Sequence, residues 1–155
     1  MDLSGTFDVI VEDERWLGAI AGADAFAAEC RRAAIAADPA LDAGAALLLA
    51  DDARLADLNR RFRGKDKPTN VLSFPSGASE GFLGDIAIAF ETCKREAEAQ
   101  GIAFRDHAAH LIVHGLLHLV GYDHGADDDA NEMESLETRI LATLGVADPY
   151  APETR

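Results

Sequence analysis

The 155-residue sequence predicts a single α+β domain, a mixed four-stranded sheet packed against about five helices with one long helix at its centre. Three observations carry this expectation. Four short β-rich runs recur along the chain: Thr6–Val11, Ala45–Ala50, Asn70–Phe74 and Phe82–Phe90. Segments of helical period separate the first three of them, which calls for parallel pairing through right-handed crossovers. Only the turn-rich link Ser76–Gly81 separates the last two, which favours antiparallel pairing. Asn70–Phe74 is therefore the expected antiparallel member, at an edge. One domain should span residues 1–155, with its core over 6–145 and a loosely held tail from Asp148.

Taken in order, Thr6–Val11 alternates in polarity and opens the sheet. Trp16, Leu17 and Ile20 are expected to cover one end of the core. Asp24 is a candidate N-cap for a helix to Ala37, with Phe26, Cys30, Ala33 and Ala34 on its apolar stripe and Pro39 closing it. The apolar run Ala45–Ala50 suits a buried strand. Asp51 and Asp52 open a helix to about Phe62, where acids favour the helix dipole, with Leu55, Leu58 and Phe62 facing inward. Gly64 and Lys65-Asp66-Lys67-Pro68 form a loop, and Pro75 stops the third strand. Glu91–Gln100 is a helix ended by Gly101, and Phe104–Val120 is the long central one. The last helix starts near Asp127, buries Met133, Leu136, Ile140 and Leu144, and stops at Gly145.

Composition narrows the function classes. An apolar fraction of 48% is ordinary for a globular protein. Cys30 and Cys93 are too few for a disulfide framework, so two reduced thiols are expected. No basic-then-apolar leader opens the chain and no apolar run reaches membrane-spanning length, which points to the cytoplasm and away from membranes. The net charge of −14 argues against a general nucleic-acid coat. Yet Arg60, Arg61, Arg63, Lys65 and Lys67 form a local basic strip, able to hold a phosphate backbone at one chosen place.

The chemistry concentrates in His114-Gly-Leu-Leu-His118-Leu-Val-Gly-Tyr-Asp-His124. His114 and His118, four apart, share a helix face, and Gly121 permits a turn that brings His124 back. Three converging imidazoles are the ligand set of a zinc site with an open fourth position, one Zn²⁺ per chain. The spacing is zincin-like, but Gly115 stands where those proteases carry their general-base glutamate. His110, one turn before His114, is expected in a supporting or core role. Asp85, an acid within an apolar strand, is a candidate to accept from a histidine N–H and orient it. Arg63 offers a planar fork for a phosphoryl group.

The runs Arg63-Gly-Lys-Asp-Lys-Pro-Thr-Asn-Val-Leu-Ser-Phe-Pro75, Leu83-Gly-Asp-Ile86 and His114–His124 together resemble the YbeY family of bacterial endoribonucleases, over about Ala45–Tyr150. The resemblance implies a zinc-dependent endoribonuclease specific for single-stranded RNA, acting in 3′-end maturation of 16S ribosomal RNA and in ribosome quality control. Implied partners are that RNA, the small ribosomal subunit and its assembly factors; DNA is not expected. It also implies His114, His118 and His124 as metal ligands and Arg63 with His114 as catalytic residues, and Lys65 and Lys67 fall beside Arg63 as substrate contacts. Two alternatives remain from the residues alone: a zinc peptidase, which Gly115 disfavours, and a non-catalytic assembly factor with a structural zinc, which three ligands rather than four disfavour.

Overall fold

The computed structural model describes residues 6–65, 69–76, 81–122 and 127–150, of 127 and 128 the backbone alone. The elements run β1 (Phe7–Val11), α1 (Arg15–Ala19), α2 (Ala23–Ala37), β2 (Gly44–Ala50), α3 (Asp52–Arg63), β3 (Val71–Pro75), β4 (Phe82–Ala89), α4 (Phe90–Gln100), α5 (Phe104–Leu119) and α6 (Asp127–Thr143). The sheet order is β1-β2-β4-β3. β1, β2 and β4 pair in parallel, and β3 pairs antiparallel to β4 at the edge, as the short link requires.

Side-chain alternation gives the sheet two different faces. Leu47, Leu49, Ile86 and Ile88 point one way and join Ile112, Leu116 and Leu117 of α5 and Met133 and Ile140 of α6 in the main core. Leu72, Ala87 and Ala89 point the other way and meet Leu55 and Leu58 of α3 in a smaller cluster. α5 therefore lies across β3 and β4 on the first face while α3 lies behind them. Among the described residues no helix is long and apolar enough to cross a membrane.

Local details depart from the sequence expectation where tertiary contacts overrule local signals. α1 is an additional one-turn helix, and of the three core residues expected in and just after it, Trp16 and Ile20 are buried. Trp16 is enclosed by Phe90 and Phe104 at 5.4 and 5.2 Å and donates to the Ala50 carbonyl at 2.9 Å, while Leu17 is 51% exposed. α2 is preceded by Gly22 in a left-handed conformation, so Asp24 sits in its first turn and not at the cap. Pro39 follows the end of α2 and begins a 3₁₀ turn, with the Asp38 carboxylate accepting from Ala40 N–H. Phe62 is 67% exposed and rests edge-on against Phe74 at 5.5 Å, outside the inward stripe expected for it.

The tightest steric constraint is Gly84. Its φ of +144° disfavours a side chain, and a Cβ there would stand 2.2 Å from the Phe74 carbonyl oxygen across the β3–β4 pair. Backbone strain and overpacking each cost about 1–3 kcal/mol, so Gly84→Ala should lower unfolding free energy by about 2–6 kcal/mol. Urea unfolding followed by circular dichroism measures it. A loss below about 0.5 kcal/mol would mean that β3 and β4 are not held this closely.

Candidate active site

Helical periodicity sets His107, His110, His114 and His118 in one ladder along α5. Neighbouring rings lie 6.0, 6.2 and 4.5 Å apart between centroids. The Nε2 atoms of His114 and His118 face each other at 3.0 Å, a pair of imidazole donors aimed at one point. Gly121, at φ +99°, turns the backbone away from α5, and the Tyr122 hydroxyl pins that turn to Asp38 at 2.9 Å. His124, the expected third ligand, lies outside the described residues, as does Lys67.

A second candidate cluster uses the other side of His114. His110, His114 and Glu137 each bring one potential ligand atom within 4.8 Å of the others. Glu137 is fully buried, and its Oε2 stands 2.9 Å from His114 Nδ1 and 3.2 Å from His110 Nε2. Its Oε1 accepts from the Tyr150 hydroxyl at 2.8 Å. Burial pushes the Glu137 carboxyl up, but the hydrogen bonds from His110 and His114 outweigh it and hold the group at about 2. An ionised carboxylate only accepts, so the proton on His114 is assigned to Nδ1, and its Nε2 lone pair faces His118. Glu137 thus suits the part of an orienting partner for His114 better than that of a ligand.

Sequence reasoning missed Glu137 and Tyr150. The signal for Glu137 was present: it stands four after Met133 and three before Ile140, on the stripe that α6 buries. Asp85, assigned that orienting task from sequence, is instead exposed. The alternation that turns its neighbour Ile86 toward α5 turns Asp85 the other way, into an apolar groove with Leu48, Leu58, Phe62 and Phe74. Its role as a histidine partner is corrected accordingly.

His114 and His118 line a cleft of about 610 Å³ together with Arg63, Asn70, Val71, Ser73 and Pro75. The last three face α5 from alternate positions of β3. Arg63, in the final turn of α3 behind the sheet, reaches round this edge strand. Its guanidinium donates to the Ser73 carbonyl at 2.7 Å and lies 5.7 Å from the Phe74 ring centre, while Ser73 Oγ donates to the Gly115 carbonyl of α5 at 3.3 Å. Asn70 donates to Glu96 at 3.0 Å, and Glu96 in turn meets buried His107 at 2.8 Å. Lys65 is exposed and is not among the cleft-lining residues. Arg60 and Arg61 both pair with Asp57 on their own helix.

Gly115 faces Ile86, and a Cβ at that position would come within 2.8 Å of the Ile86 side chain. A glutamate there would be directed into the core, so the peptidase arrangement fails for want of room as well as of a carboxylate.

The depressed Glu137 carboxyl has a defined pH consequence. It stabilises the folded state above its ordinary value of 4.5, and that contribution disappears as pH falls toward about 2. The urea midpoint of the wild type should therefore fall between pH 4.5 and 2 more steeply than that of Glu137→Gln. Parallel profiles would show that Glu137 is not held ionised by its neighbours.

Residues 24–145 match the family model described as endoribonuclease YbeY. A protein of that name from Methylocella silvestris is 60% identical over 72% of this chain and 65% of its own length. Proteins of the same name from Paracoccus denitrificans and Ruegeria pomeroyi are 49% and 48% identical over 92% and 96% of this chain and 88% and 99% of theirs. A solution structure from Thermotoga maritima, 20% identical, has the same fold with a TM-score of 0.59, covering 95% of this chain and all of its own.

Proposed function

The chain belongs to the endoribonuclease YbeY family, and from that premise we propose that it is a metal-dependent endoribonuclease acting on single-stranded RNA. The observation that carries the reading is that Arg63 from α3 and the facing pair His114 and His118 from α5 line one cleft. Nothing in the sequence distance between them requires this meeting. It is what hydrolysis of a phosphodiester needs, a fixed cation for the phosphoryl oxygens beside a metal-ligating pair.

His114, His118 and His124 would hold the metal, taken to be Zn²⁺, one per chain. The donor set fits: two imidazole nitrogens converge, and one has its opposite nitrogen held by a buried carboxylate. When bound, the ion supplies Lewis acidity toward a phosphoryl oxygen or a water. Arg63 anchors one N–H on Ser73 and turns the rest of its fork to the cleft, where negative charge develops on the phosphoryl oxygens. His114 contributes through its fixed Nε2. Lys65 and Lys67 lie next in the chain and would track the RNA backbone as it leaves the cleft, against a body whose net charge is −14. His110 supports Glu137.

We take the whole chain as one endoribonuclease domain working in the cytoplasm. Its RNA would be 16S ribosomal RNA, cut during 3′-end maturation and quality control on the small ribosomal subunit, in the company of that subunit's assembly factors. The family resemblance of the histidine and arginine motifs supports these finer assignments. A peptidase is disfavoured by Gly115 packed on Ile86, and a purely structural zinc by the open cleft beside it.

Single-turnover cleavage under saturating single-stranded RNA tests the reading. Arg63→Ala should keep fold and metal and lose about 10² to 10³ in rate, the usual effect of removing one preorganised donor. Arg63→Lys should recover little, since lysine offers a point charge in place of a fork. His114→Ala and His118→Ala should lose metal and cleavage together. Wild-type cleavage by Arg63→Ala, or full metal content in both histidine variants, would overturn the assignment.

A further inference from the structure

The chain after α6 does not trail away. Gly145, at φ +78°, reverses the backbone, with Val146 N–H donating to the Leu141 carbonyl at 2.9 Å, and the Val146 side chain is buried. The Asp148 carboxylate then accepts from Thr138 Oγ1 at 3.1 Å and from Tyr150 N–H at 2.8 Å. The loose tail expected from Asp148 is therefore corrected for residues 148–150; residues 151–155 lie outside the described ones. These ties lay Tyr150 back along α6, level with Glu137.

There the Tyr150 hydroxyl donates to Glu137 Oε1 at 2.8 Å and stands 3.1 Å from His110 Nε2, with the two rings edge to face at 5.5 Å. His110 Nε2 also reaches Glu137 Oε2. Three side chains from two segments thus close on one fully buried carboxylate of α6. Its two oxygens receive Tyr150 on one side and His110 with His114 on the other. Without the first two, Glu137 would be free to rotate about its terminal torsion, which is soft. His114 would then lose its fixed acceptor.

We propose that Tyr150, with Glu137 and His110, is a positioning device that keeps His114 protonated at Nδ1 and its Nε2 presented to the metal, so that metal retention depends on the segment following α6. This rests on the reading above that His114 is a ligand. None of the three needs to touch RNA or metal. Outer partners of metal-bound histidines typically contribute 10- to 100-fold in metal affinity or activity. A tyrosine that merely covered α6 would contribute to folding alone.

The test uses the zinc-loaded full chain. Zinc release to a chromogenic chelator is timed for wild type, Tyr150→Phe and Glu137→Gln, and long-range ¹⁵N–¹H correlation spectra report which His114 nitrogen carries the proton. Tyr150→Phe keeps the ring and removes only the hydroxyl. It should release zinc about ten times faster with its thermal midpoint little changed, while Glu137→Gln should release it about a hundred times faster and lose the uniform Nδ1–H signature. Should Tyr150→Phe fail to fold, Glu137→Gln alone carries the comparison. Wild-type release rates and an unchanged His114 signature in the variants that fold would overturn the proposal. His114→Ala separates the two levels: if it keeps zinc, the ligand assignment itself is wrong; if it loses zinc while the other variants do not, only the positioning role falls.

Discussion

The close packing of α5 on β4 is the constraint from which the rest of the site follows. Gly115 meets Ile86 with no room for a side chain, and Gly84 lets β4 run hard against β3. These contacts fix how near the histidine ladder comes to the edge of the sheet. Ser73 then ties the edge strand to α5 by donating to the carbonyl of Gly115 itself. A side chain at position 115 would push α5 off the sheet and open the gap that His114, His118 and Arg63 share. The glycine that leaves no room for a glutamate thus also lets α5 lie this close to the sheet.

The second requirement is electrostatic. A carboxylate with no solvent exposure is costly unless every lone pair it offers to the interior is used, and Glu137 has donors on both oxygens. Two of these donors are imidazoles whose tautomers are thereby decided. The Tyr150 phenol stays protonated, raised first by burial and then by the Glu137 charge, so it remains a donor. Burying the acid thus sets which nitrogen of each ring faces a carboxylate that can only accept.

Much of this was legible in the chain. The mixed sheet followed from linker lengths: a helical crossover joins the parallel pair β1 and β2, and the brief Ser76–Gly81 link made β3 antiparallel to β4 at the edge. His114 and His118 converge as their four-residue spacing requires, and Gly121 turns as its position required. Two errors have different local causes. Asp85 was judged by the apolarity of its neighbours in sequence and Phe62 by its helical spacing from Leu55 and Leu58, whereas strand alternation and the exposed side of α3 decide where they point. Tyr150 could not be read at all, because its partner on α6 is reached through a reversal at Gly145 that leaves no periodic trace. Glu137 could have been read: an acid on a buried stripe announces a partner of opposite need.

β3 shows how one short edge strand serves several ends. Leu72 and Phe74 face α3, while Val71, Ser73 and Pro75 face the cleft, so the strand packs on one side and lines the cleft with the other. Its outer rim is the hazard, since unpaired backbone groups on an edge invite another strand. Arg63 answers that by donating to the Ser73 carbonyl on the rim, with Phe74 beneath its guanidinium. The cation therefore blunts the edge and stands at the cleft. Arg60 and Arg61 pair instead with Asp57 one turn earlier on their own helix, and neither is among the cleft-lining residues.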